Sequence, residues 1–425
     1  MTRKTLAKLV APLLAFSLVA AACGDDDDDG AASGRSDTTQ PDGPDAEVVA
    51  TETGAATLRA GLTDLLTEHV YLAALATGAA LRGDTGGFEA FAAALNGPTD
   101  SNSADLSAAI GSAYGDDVGQ AFDGLWRSEA HIPAFVAYTQ AVAADDQAGA
   151  DQAVEDLLGY AETFGTTLNQ VNGSLPADAV TEAVTMHITT LKDVVDAQHA
   201  GDQPAVYSSL REAYGHMAGM AEVLAGATAQ QFPDQFDGDA SSPAASLRAG
   251  LTSLLREHVF LAAHATGAAL GGRAEQFEAA ATALNGPSDS NTADIVAAVG
   301  SVYGDEVANA FDGLWRSEDH IPAVVAYTQA LAAGDDAAAQ AAVDDLLAYA
   351  QTFGTTMASV NPNLPADAVT EAIVGHATTL KAVIDAQAAG DVAATARLLR
   401  EAVHHMSDTA AVLASATALQ FPDQF

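Results

Sequence analysis

Eight of the eleven histidines in this 425-residue chain stand at matched positions: His69, His131, His187 and His216 recur 189 residues later as His258, His320, His376 and His405. A neutral imidazole offers a lone pair that copper, zinc, nickel and iron all accept, and affinity order favours Cu(II) among the divalent ions. Four imidazoles meeting in one layer would therefore make a transition-metal site. The competing reading is a polar core layer whose rings hydrogen-bond one another and nearby hydroxyls, in a protein with a structural or protein-interaction role. A non-covalent haem with paired histidine ligands also stays open. Glu68 and Glu129, with counterparts Glu257 and Glu318, lie close to the histidines in sequence. They are candidates to orient or join the ligands, because a metal-bound imidazole usually donates its other N–H to a carboxylate or carbonyl. Their other reading is as solvent-facing helix charges.

Several sharper chemistries lack their residues. A carboxylate-bridged di-iron site wants Glu-x-x-His on two helices, and that pair is absent, the spacing occurring only once, at Glu401 and His404. His-Glu-x-x-His, Cys-x-x-Cys-His and a Gly-rich phosphate loop are missing too. Cys23 is the only cysteine, so no thiolate or disulfide exists within the repeated region. No general acid, base or nucleophile is arranged recognisably, which points to a binding protein ahead of an enzyme.

The histidines belong to a longer repetition, in which residues 58–236 return as residues 247–425. Within each copy the apolar residues step by three and four: Leu58, Leu62, Leu65, His69, Leu72 and Ala76 form one seam, and Val180, Val184, His187, Leu191 and Val194 another. With Ala-rich composition and Asn-Gly-Pro and Leu-Pro breaks, this predicts long helices at about 57–82, 117–145, 149–171, 178–199 and 204–230, with short ones near 88–95 and 105–114. Each repeated histidine then sits near the middle of a different long helix, and in an antiparallel bundle midpoints share one level. His69 and His187 lie on seams. His131 and His216 fall one residue off theirs, and Pro133 is expected to bend its helix and turn His131 inward. Asn102 and Asp105 read as turn and cap residues, Trp126 and Trp315 as packing anchors, and Arg127 and Arg316 as partners of neighbouring carboxylates.

The ends read differently. Residues 1–22 carry Arg3, Lys4 and Lys8 ahead of an apolar run and three alanines before Cys23, the pattern of a bacterial lipoprotein signal with Cys23 as the lipidated residue. An ordinary leader fits as well. Residues 23–54 are acidic and poor in large apolar groups, as expected of a flexible tether. Helical repeats at 55–236 and 247–425 follow, joined by a short linker at 237–246. The expected location is the outer face of the cell membrane, held by the N-terminal lipid. The formal charge of −41 makes nucleic acid a poor partner.

Glu68-His69-Val70, Asn102-x-x-Asp105 with Tyr114-Gly115, Leu125-Trp126-Arg127, His216-Met217 and the Gln231-Phe232-Pro233-x-x-Phe236 ending together resemble a group of bacterial envelope and secreted helical proteins without an assigned activity. The resemblance covers nearly all of each repeat and departs from the group's pattern where Ala130 separates Glu129 from His131. It implies an all-α fold of two tandem antiparallel helical bundles, ferritin-like in general architecture, and implies no reaction.

Overall fold

A computed structural model describes residues 49–317 and 319–425. The expected leader, Cys23, the tether as far as residue 48, and Glu318 lie outside the described residues. All regular structure in the described residues is helical. The first repeat contains α1 (Gly54–Leu81), α2 (Thr85–Asn96), α3 (Asn102–Tyr114), α4 (Asp116–Trp126), α5 (Ile132–Ala143), α6 (Gln147–Val171), α7 (Ala177–Ala200) and α8 (Gln203–Gln231). The second contains α9 (Pro243–Leu270), α10 (Ala274–Asn285), α11 (Asn291–Tyr303), α12 (Asp305–Trp315), α13 (Ile321–Ala333), α14 (Asp336–Val360), α15 (Ala366–Ala389) and α16 (Val392–Gln420). No helix of the described residues is long and apolar enough to cross a membrane.

In each repeat the long helices pack around the first: α1 touches α8, α7 and α5, while α6 lies between α5 and α7. Tight turns make consecutive α6, α7 and α8 antiparallel neighbours. The helix expected over 117–145 is two helices. Pro133 has no N–H to give the Glu129 carbonyl, so the chain breaks after Trp126 and restarts with the proline in the first turn of α5, where a missing N–H costs nothing. His131 therefore caps a new helix instead of sitting within a long one.

The two repeats share one hydrophobic core. Their first helices, α1 and α9, lie against each other, and Tyr71 stacks on its counterpart Phe260 with centroids 4.4 Å apart. This explains why every residue from Leu66 to Ala74 is buried, without the polar stripe of a surface helix. The folded part also starts earlier than the expected end of the tether. A 3-10 turn at Ala50–Glu52 buries Thr51, whose hydroxyl meets Ser415 Oγ at 2.9 Å and whose carbonyl accepts from Arg248.

Candidate metal centre

Three elements of the first repeat deliver one imidazole each: His69 from the middle of α1, His131 from the cap of α5, and His187 from the middle of α7. All three are at least nine-tenths buried, and each offers a ring nitrogen within 4.8 Å of the other two. His258, His320 and His376 repeat the arrangement. An equilateral triangle of that size has its centre about 2.8 Å from each corner, so inward shifts of under about 1 Å reach the 2.0–2.1 Å of a zinc–nitrogen bond. Each triad could hold a metal ion.

The structure brings together three of the four repeated histidines in each copy and leaves the fourth aside. His216 is half-buried on α8, with its Nε2 spent on the Ala183 carbonyl at 2.8 Å, and His405 does the same with Ala372. Glu129 is exposed in the turn before His131, which leaves it as a solvent-facing charge. Glu68 and Glu257 are the opposite case: both are buried, close behind the triads.

The surroundings hold the rings in place. His131 Nδ1 donates to the Trp126 carbonyl at 2.7 Å, which leaves Nε2 with the free lone pair; His320 and Trp315 match. On one face His131 stacks on Tyr160, 4.4 Å between centroids and 2° from parallel, while Trp126 meets both His69 and His131 edge-on. Trp126 is thus a wall of the site as well as a packing anchor. Behind His69 stands Asn102, fully buried, whose Nδ2 donates to the Leu65 carbonyl at 2.8 Å and to Glu68 Oε2 at 2.9 Å. Its Oδ1, buried without a hydrogen-bond partner, is left as the group that favours a proton on His69, a smaller influence than burial and the neighbouring rings. Ser101, not Asn102, caps α3.

Glu68 is held in turn by the other repeat. Arg400 of α16 pairs with it at 3.1 Å and also takes Asp105 and the Asp100 carbonyl. Reciprocally, Arg211 of α8 pairs with Glu257 at 3.1 Å and takes Asp294 and the Asp289 carbonyl. Each triad is thus backed by a relay of Asn, Glu and Arg in which the arginine comes from the opposite repeat. Asn102, Tyr160, Arg211 and their counterparts were not among the expected site residues. Their retention in both copies, in a chain with only 16 lysines and arginines, was the signal available.

Electrostatically the triads favour the metal-binding protonation state. Burial, with mutual repulsion between the rings, holds His69 and His258 well below the usual imidazole value. Burial brings His131 and His320 to about 4, and His187 and His376 to about 3. The rings are neutral at pH 7 with lone pairs available. Nδ1 of His69 and of His187 is buried without a hydrogen-bond partner, as are the same atoms of His258 and His376. An unmet buried nitrogen is costly, and a layer of imidazoles bonded to one another would have satisfied it.

Comparison of the chain with protein-family models, with curated proteins and with solved structures finds no match in any of the three. Functional reasoning therefore rests on the site itself.

Proposed function

We propose that each repeat binds one transition-metal ion through three histidines, and that the protein stores, sequesters or senses that ion. It does so as a lipoprotein held by Cys23 at the outer face of the cell membrane, within the group of envelope proteins it resembles. The observation that carries the reading is the convergence of three buried, neutral imidazoles in both repeats, with ring nitrogens left without partners. Nitrogen-only ligands suit copper, zinc, nickel or iron, with Cu(II) first in affinity order. Element analysis of the full chain, purified after growth with these metals supplied, tests it. The expected result is two ions per chain, falling to one in His69→Ala and to none in His69→Ala/His258→Ala. A metal-free wild type that loses only thermal stability in these variants would mean the histidines are a polar core layer.

A further inference from the structure

Three protein ligands leave a metal ion with an open position, as in sites that bind a fourth group, whereas closed structural sites supply four. In the first repeat that position borders a cavity of about 580 Å³, to which all three histidines contribute wall. The cavity follows α1 from His69 past Ala73 and Ala76 to Ala80, about 16 Å of helix, and reaches Gly83 in the turn beyond it. Phe88, Leu95, Phe135, Val136 and Leu191 complete an apolar wall that contains no Asp, Glu, Lys or Arg. Of its uncharged polar groups, Thr77 and Thr139 donate to helix carbonyls and Asn96 Oδ1 accepts from Arg127, while Thr85 and Gln140 complete the set. The second repeat has a corresponding cavity beside its own triad, with Arg273 and the exposed Glu278 added to its lining.

Two requirements follow for what fills such a chamber. An ion bound by three neutral imidazoles keeps its full charge in an apolar setting, and buried charge needs a counter-charge. The wall of the first chamber has none to give, and Glu68 is already matched by Arg400 and Asn102. The ligand must therefore bring the negative charge at one end, while its remainder must suit a long, narrow, apolar space. On the reading that the triads hold metal, we infer that each chamber binds a monocarboxylate with an unbranched aliphatic tail, a fatty acid, its carboxylate on the ion and its tail along α1 or α9.

The test uses the full chain with His258→Ala, which leaves the first triad alone, loaded with Co²⁺ so that the visible spectrum reports the ion's ligands. The expected sequence is binding of one Co²⁺, a spectral change on adding octanoate, and none on adding octan-1-ol. Octanoate should bind at least about tenfold tighter than acetate, since each buried methylene adds affinity, and at least about tenfold tighter to the loaded chain than to the metal-free one. Ala92→Phe, at a half-buried wall position of α2, should lower octanoate affinity and spare both Co²⁺ binding and the acetate response; Ala76→Phe should do the same from α1. If Co²⁺ does not bind, or binds equally after His69→Ala is added, the metal reading fails and takes this inference with it. If Co²⁺ binds through His69 but its spectrum ignores octanoate, or octanoate prefers the metal-free chain, the fatty-acid inference alone is overturned.

Discussion

Beside His258, His320 and His376 the chamber measures about 1030 Å³, against about 580 Å³ beside His69, His131 and His187. The walls differ: Phe135 and Ile188 line the first chamber where the second repeat has the smaller Val324 and Ala377, and the second lining also takes in Arg273 and Glu278. Support for the tryptophan differs as well. Ser103 and the matching Thr292 both donate to a carbonyl, of Leu95 and Leu284, but only Ser103 Oγ also accepts from the tryptophan, Trp126 Nε1 at 3.1 Å, while buried Trp315 Nε1 has no partner. The ligands do not differ, nor do the residues that hold them: imidazole, tryptophan carbonyl, tyrosine face, asparagine, glutamate and opposite-repeat arginine are the same in both. Two copies free to drift have changed the chamber and kept the triad, which places the tighter geometric demand at the three imidazoles.

The largest expected effect breaks the symmetry of the interface. Arg256, almost fully buried, pairs with Asp64 at 2.6 Å and donates to Ser407, while the matching positions in the opposite copies are Thr67 and Ser253. Burial works against the Asp64 carboxylate, but Arg256, His404 and Ser407 outweigh it and hold its carboxyl below the usual range. Arg256→Met strands that charge and should cost about 3 kcal/mol in denaturant unfolding. The double change Asp64→Ser/Arg256→Thr copies the other half of the interface and should recover most of the loss. Equal unfolding free energies for the single and double variants would show that the pair is not the reason.

Acidity should reveal where the repeats agree. An unfolded chain protonates its histidines near 6.5, whereas the folded one keeps His131 and His320 neutral down to about 4 and His187 and His376 down to about 3. Below 6.5 the unfolded state therefore binds more protons, so stability is intact above that pH and is lost as pH falls toward 4. The loss is on the order of 1 kcal/mol per pH unit for each ring. His131→Gln and His320→Gln should each flatten the metal-free chain's melting temperature between pH 6.5 and 4 by a similar amount. A profile already flat in wild type would contradict the buried neutral rings.

Arg400→Met should weaken metal binding in the first repeat by roughly 10- to 100-fold, the usual cost of losing a group that orients a ligand, while the second repeat keeps its affinity. Arg211→Met should do the reverse. Titrations in His258→Ala and His69→Ala backgrounds separate the two, and a loss confined to the arginine's own repeat would refute the crossed relay. The smallest effect is in the walls: Val324→Phe/Ala377→Ile should bring the second chamber's preference among fatty-acid lengths to that of the first, with metal stoichiometry unchanged. Tail-length profiles that were already identical in the two repeats would remove the significance given to the wall substitutions.

Much of the helical fold was legible because apolar spacing, Pro and Gly act locally: the spans of α1, α6, α7 and α8 follow directly from the seams through Leu62, Val180 and their neighbours. His69 and His187 could be placed on the core face for the same reason. The break at His131 was half legible, since Pro133 signalled a disturbance but not whether the helix would bend or end. His216 lay beyond reach, because its fate depends on a carbonyl of α7 exposed to it by tertiary packing. The burial of Glu68 was equally hidden, as its partner Arg400 lies 332 residues away in the other repeat.

Whether three histidines in each repeat surround one ion can be read from an anomalous difference map of crystals of the metal-loaded full chain. Two peaks are expected, one within about 2.0–2.1 Å of a ring nitrogen from each of His69, His131 and His187, the other likewise among His258, His320 and His376. Peaks only at surface carboxylates, with both triads unliganded, would contradict that expectation.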